Sequence, residues 1–388
     1  MKVKIRRSRE GDEEQTLQFL NSVFPNWGDD RKLRWKFKEV EGALGRKAIA
    51  WVVEDAGKIV GHLAFIPMDL RVGNQVLPVC QLVDGAVSPL YRGRGVYTSL
   101  VREVRLDAER NGNAATFSMP RVVGSAYRGF RTICSIARMF KILSLKNAVN
   151  TVQLHPVAEE IFTIRNESLT TEFYSIPKRQ AIFALMDLFR VALGSIISCC
   201  LRPASLGRPV PEPKAIGVNA LGTKLEASWT KLSSNYKSAF ERNGKYLKWR
   251  YGRPKVEYEA YFVERSSDVA GYVIIGVEER NMGIGKITLG GLKIGYIMDL
   301  VAARDLMIPL LLRAEEELKK RKVCLVNCWT IEDTPLFKTL RSMRYNQIPK
   351  ELAKVTVVAN VNASQLESAI SSENAKAMLI SLGDTDHV

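Results

Sequence analysis

The feature that most constrains the fold is the run Val87-Ser88-Pro89-Leu90-Tyr91-Arg92-Gly93-Arg94-Gly95-Val96. Before it, Val79 to Val87 is apolar and β-branched enough to be a buried strand; after it, about Tyr97 to Arg110 has the apolar spacing of a helix. A strand must therefore end at Ser88-Pro89, turn through two glycines and start a helix within a few residues. Glycine accepts left-handed backbone without penalty and lets a ligand approach closely. The helix it leads into presents unpaired N–H groups and the positive end of its dipole. With Arg92 and Arg94 beside them, these groups form a cradle for an anion.

The elements around the loop complete a mixed α/β pattern. Val3 to Arg7 reads as a short strand, and Gly11-Asp12-Glu13 opens an amphipathic helix carrying Leu17, Leu20, Val23 and Phe24, with acids in its first turn where the dipole favours them. Ala48 to Glu54 and Ile59 to Pro67 form a hairpin around Asp55-Ala56-Gly57-Lys58. Ala114 to Met119 is a strand, followed by a turn and helix around Ser125 to Phe130.

Faint internal repetition argues for two lobes. Trp35-Lys36-Phe37 recurs as Trp249-Arg250-Tyr251, Ile59-Val60-Gly61-His62 as Val269-Ala270-Gly271-Tyr272, and Leu82-Val83-Asp84 as Ile297-Met298-Asp299. The pairs share one order, 214, 210 and 215 positions apart. The aromatic triplets are read as a packing element common to both lobes. In the second copy a helix, Pro309 to Arg321, precedes a strand, Val323 to Trp329, but Ala302 to Ile308 has no glycine, so no anion site is expected there. The boundaries expected are a first domain over 1–150, a connecting region over 151–230 and a second domain over 231–388. The proline-rich stretch RPASLGRPVPEPKAIG lies in the connection.

Composition narrows the class. The 388 residues are 46% hydrophobic, enough for a core in each lobe, and carry net charge +16, which suits anionic partners. Six cysteines (Cys80, Cys134, Cys199, Cys200, Cys324 and Cys328) lack any CxxC spacing and there are three histidines, so neither a zinc cage nor a disulfide framework is indicated. No signal peptide is visible at the basic N-terminus, and a reducing cytoplasm is the expected home. The segment Ala181 to Leu201 approaches the length of a membrane span. Asp187 and Arg190 within it would each cost about 2.5 to 3.5 kcal/mol on insertion scales. It is expected to be a helix buried between the lobes, with peripheral membrane contact as the alternative.

The strand, proline, double-glycine loop and helix resemble the pyrophosphate-binding segment of the GCN5-related N-acetyltransferase (GNAT) family, whose pattern is Arg or Gln, two residues, Gly, one residue, then Gly or Ala. The resemblance implies two GNAT-like lobes in tandem, acetyl-CoA in the first lobe and a degenerate second one. It implies direct transfer of an acetyl group to a primary amine of a small-molecule acceptor such as an amino sugar, with no metal and no specific nucleic acid. By the same resemblance Arg92, Gly93, Arg94, Gly95, Val96 and Tyr97 would hold the pyrophosphate. Gly85, Ala86 and Val87 would pair with the pantetheine arm along an open strand edge, one of their N–H groups polarising the thioester carbonyl. Asp84 and His62 are candidates to accept the amine proton, and Tyr127, near Gly129-Phe130, is the candidate to protonate the thiolate, with Ser125 or water as substitutes. Asp84, three residues before Val87, should face the other side of the sheet. The departure from the pattern is Tyr97 in the final Gly or Ala position, where its bulk should crowd the phosphates or narrow the site. The alternatives are an aminoacyl-tRNA-dependent transferase of similar two-lobe build and a non-catalytic CoA-binding module.

Overall fold

The computed structural model describes residues 3–24, 27–120, 123–144, 152–153, 211–284, 287–349 and 354–385. The first lobe runs β1 (Lys4–Arg7), α1 (Glu13–Val23), α2 (Asp30–Phe37), α3 (Glu39–Leu44), β2 (Ile49–Asp55), β3 (Lys58–Val72), β4 (Gln75–Val87), α4 (Val96–Arg110), β5 (Ala115–Ser118) and β6 (Arg131–Ile142). After β7 (Val152–Gln153), the second lobe runs β8 (Lys214–Ile216), α5 (Val218–Ser233), β9 (Ser238–Phe240), α6 (Gly244–Arg250), β10 (Glu257–Arg265), β11 (Asp268–Ile284), β12 (Ile287–Ala302), α7 (Arg304–Lys320), β13 (Leu325–Ile331), α8 (Pro335–Ser342), β14 (Asn346–Gln347) and β15 (Val355–Val361). The segment Ala181 to Leu201 lies outside the described residues. Among the described residues, no helix is long and apolar enough to cross a membrane.

All the main strands join one mixed sheet in the order β1-β2-β3-β4-β5-β15-β6-β13-β12-β11-β10-β8. The order is not that of two separate sheets. Strand β15, late in the chain, lies between β5 and β6 of the first lobe, with Val358 opposite both Ser118 and Thr132. In turn β6 pairs antiparallel with β13 of the second lobe from Ile136 opposite Ile331 to Ile142 opposite Leu325. Each lobe thus closes its sheet with a strand from the other. Residues 214–230 fold with the second lobe, where Leu221, Leu225 and Trp229 of α5 are buried.

Two copies of the aromatic triplet seen in the sequence meet in space. Trp35 and Trp249 stack at 5.5 Å between ring centroids. Each indole donates to the other's backbone carbonyl, Trp35 Nε1 to Trp249 O at 2.7 Å and Trp249 Nε1 to Trp35 O at 2.9 Å. The aromatic triplets are packing elements, as read from the sequence, and they pack on one another.

Helices cover both faces of the first lobe's sheet. Leu100, Val101, Val104 and Ala108 of α4 pack on Leu63, Phe65, Leu82 and Val87, while Leu20 and Leu33 of α1 and α2 pack on Val52, Ile59 and Ala86 of the opposite face. In the second lobe α7 begins at Arg304 rather than at Pro309. Burial of Leu306 and Met307 outweighs the one backbone bond the proline removes.

Candidate functional site

The glycine loop is built as its sequence requires. Gly93 has φ +72° and Gly95 has φ +74°, both left-handed. A Cβ at either would meet no atom within 4 Å, so backbone conformation rather than crowding selects glycine. The α4 ladder starts with Ser99 N–H on Gly95 O at 2.9 Å, which leaves the N–H groups of Val96, Tyr97 and Thr98 ahead of it, pointing out of the helix end. Arg92 folds back, its Nε 3.3 Å from Val87 O.

Next to this helix end the sheet forks. Strands β4 and β5 pair in parallel only from Val79 opposite Ala115 to Gln81 opposite Phe117. Beyond that point β4 continues to Val87 while β5 stops at Ser118, so Leu82 to Val87 keep β3 on one edge and lose their neighbour on the other. A cavity of about 1180 Å³ runs from the loop along this open edge. It is lined by Asp84, Gly85, Ala86 and Val87 of β4, by Arg92, Gly93, Gly95, Val96 and Tyr97 of the loop, by Ser118 and Tyr127 at the fork, and by Phe24 and Trp27 beyond. Ligand pockets usually span 300–1,000 Å³, so this cavity lies just above the usual range. Every loop and strand residue expected to hold a ligand, Arg94 apart, lines this one cavity.

A β-bulge lies on the other edge of β4, opposite the fork. His62 pairs with Ala86 and Ala64 with Val83, so Leu63 faces both Asp84 and Gly85. Asp84 carries the strain, with φ +51°. Its carboxylate is fixed by Trp27 Nε1, which donates to Oδ1 at 2.8 Å, and by Lys36 Nζ, 2.7 Å from Oδ2. Lys36 is 1% exposed and Asp84 6%. The Lys36 ammonium also lies 5.7 Å from the Trp27 ring centroid and 5.8 Å from that of Phe37. His62, fully buried, places Nδ1 3.0 Å from Asp84 O. His62 faces a second, smaller cavity on the α1–α2 side and does not line the first. Asp84 and Val87 do face opposite sides of the sheet, Asp84 toward α2 and Val87 toward α4.

The second lobe repeats this arrangement with different atoms. Asp299 accepts from Arg242 Nε at 2.8 Å and from Tyr272 Oη at 3.0 Å, Tyr272 standing where the repeat has His62. Arg242 also reaches Asp384, 2.7 Å away. A bulge recurs between Ile274 and Ile275, opposite Met298.

At the base of the fork stands a hydroxyl cluster. Ser118 Oγ donates to Tyr127 Oη at 3.2 Å, and Tyr97 Oη lies 3.4 Å from the same oxygen. Tyr127 sits in a single turn, Ser125–Tyr127, rather than the helix expected there, and packs edge-on to Phe130 at 5.4 Å. Tyr97 narrows the fork: its hydroxyl reaches across to Gly85. Burial raises the Tyr97 phenol well above its ordinary range, with the neighbouring Tyr127 adding to the effect, so it stays protonated at neutral pH.

Sequence reasoning did not find Lys36 or Trp27 as partners of Asp84, nor Ser118. A recurring aspartate on equivalent strands signals a buried charge that needs a cation, but the cation differs between the copies. Among the described residues no group of histidines, cysteines and acids could hold a metal ion.

Residues 4–131 match the family model of the acetyltransferase (GNAT) domain. No curated protein matches the chain by sequence. Among solved structures, the chain is similar to a GCN5-related N-acetyltransferase from Anabaena variabilis, at 13% identity over 92% of this chain and 72% of that one, with a TM-score of 0.55. It is similar to a probable N-acyltransferase from Enterococcus faecalis, at 10% identity over 93% and 72%, TM-score 0.56. It is also similar to Saccharomyces cerevisiae N-myristoyltransferase with bound myristoyl-CoA and inhibitors, at 11% identity over 97% and 87%, TM-score 0.58. At such identities the likeness concerns the fold, and it extends through both lobes.

Proposed function

We propose that this chain, whose residues 4–131 match the acetyltransferase (GNAT) domain, is an acyl-CoA-dependent N-acyltransferase that moves an acetyl group to a primary amine of a small-molecule acceptor. The observation that carries this reading is the meeting of two features in one cavity: a left-handed glycine loop at a helix N-terminus, and a strand edge left unpaired by the fork. The first suits a diphosphate, held by the N–H groups of Val96, Tyr97 and Thr98 with Arg92 and Arg94 beside them. The second suits a pantetheine arm, whose amides can pair with Gly85, Ala86 and Val87 as an added strand would. When bound, acyl-CoA supplies the activated acyl group.

The chain's own residues then orient and move protons. A backbone N–H of Gly85, Ala86 or Val87 at the open edge would stabilise charge on a carbonyl oxygen. Asp84 acts as a positioning residue, because Trp27 and Lys36 already engage its two oxygens. The amine proton then leaves to water. Tyr127 holds a proton at Oη for the departing sulfur, and Ser118 Oγ–H can replace it.

The test is calorimetric titration of acetyl-CoA into the full chain and into Gly95→Trp. The wild type should bind saturably and the variant, its cradle filled, should lose at least about tenfold in affinity, about 1.4 kcal/mol. No binding by the wild type, or equal binding by a folded Gly95→Trp, overturns the reading.

A further inference from the structure

Three hydroxyls meet at the base of the fork. Ser118, Tyr127 and Tyr97 line it, with Ser118 Oγ 3.2 Å and Tyr97 Oη 3.4 Å from Tyr127 Oη. Tyr97 leaves the first turn of α4 and spans to the strand: a Cβ placed on Gly85 would lie 2.6 Å from Tyr97 Oη and 2.9 Å from Leu63 Cδ1. Gly85 is thus matched to Tyr97, and the helix side of the fork is filled by that one phenol. Tyr127, 3.4 Å away, closes the next position.

We propose that Tyr97, backed by Tyr127 and Ser118, sets the length of acyl chain the site accepts, admitting an acetyl-sized group and rejecting long apolar chains. This rests on the acyl-CoA reading above, since the thioester must lie along Gly85 to Val87 for its acyl end to meet this floor. Two effects act in the same direction. The phenol occupies the volume that further methylenes would need. An apolar chain laid against the three hydroxyls would also take them out of water, leaving them only the bonds they make to one another, which weakens its binding.

Affinity alone can test this, without knowledge of the acceptor. Full-length wild type is titrated with free CoA, acetyl-CoA, butyryl-CoA and octanoyl-CoA, and the series is repeated with Tyr97→Ala and Tyr97→Phe. The wild type should bind acetyl-CoA about tenfold more tightly than octanoyl-CoA. In Tyr97→Ala that preference should vanish or reverse, and in Tyr97→Phe, which keeps the ring and drops the hydroxyl, it should fall severalfold. Equal affinity of the wild type for acetyl- and octanoyl-CoA overturns the gauge. So does an unchanged ratio in Tyr97→Ala, or in Tyr97→Phe should the alanine variant not fold. Failure of free CoA to bind the wild type would instead overturn the acyl-CoA reading beneath it.

Discussion

Asp84 shows how one residue ties local strain to the site. Its left-handed backbone costs of order 1–3 kcal/mol outside glycine, and persists because Trp27, Lys36 and His62 all hold it. Lys36→Met should therefore destabilise by about 3–5 kcal/mol, since it strands a buried carboxylate; adding Asp84→Asn should recover part of the loss. Urea denaturation of the single and double variants checks this, and a Lys36→Met protein as stable as wild type would mean the pair does not anchor the bulge. Gly85 gives a second residue-level expectation. Gly85→Ala should impair folding or CoA binding because its methyl meets the Tyr97 hydroxyl and Leu63 Cδ1, and Tyr97→Phe in the same chain should restore only the part due to the hydroxyl, as read by thermal melts with and without CoA. The glycine loop was legible because its chemistry lies in consecutive residues. The Asp84 partners were not, because Lys36 sits in an aromatic triplet whose pattern already has a packing explanation.

Among the elements, those with a strong local signal formed where the sequence placed them, including β1, α1, the β2–β3 hairpin, β4 and α4. The long strand β6 gave no such signal, because its buried residues Ile133, Ile136, Ala137, Met139 and Phe140 do not alternate strictly along the chain. Acids at the start of α1 looked like partners for its dipole. Asp12 does more: it accepts from Arg6 Nη1 at 2.6 Å and Nη2 at 3.0 Å, clamping β1 to the helix. Those bonds to Arg6 are the main reason its carboxyl is lowered from 3.8 to about 2. A carboxyl lowered on folding stabilises above its unfolded value, so this contribution should be complete above about pH 4 and disappear as pH falls to about 2. Acid unfolding curves of Asp12→Asn should be flatter than wild type in that window; superimposable curves would remove the clamp from the account.

At the scale of the whole molecule, the sequence repeat disclosed two related lobes but not their interlocking, because a repeat reports similarity and not which strand pairs with which. Strand exchange predicts that a fragment ending at residue 150 lacks the β15 that should separate its β5 from β6. Expressed alone, it should show no cooperative unfolding and no CoA binding, whereas the full chain should melt in one transition; an independently folded, CoA-binding fragment would contradict the exchange. The interlocking also has a consequence in time. On the ribosome, β6 is finished at Ile142, yet the strand that must slide in beside it ends at Val361. At 5–20 residues per second, β5 and β6 wait on the order of ten to forty seconds with bare edges. Nascent chains of this protein therefore spend most of their synthesis as a half-zipped sheet, exposed to whatever guards against mispairing in the cell that makes them.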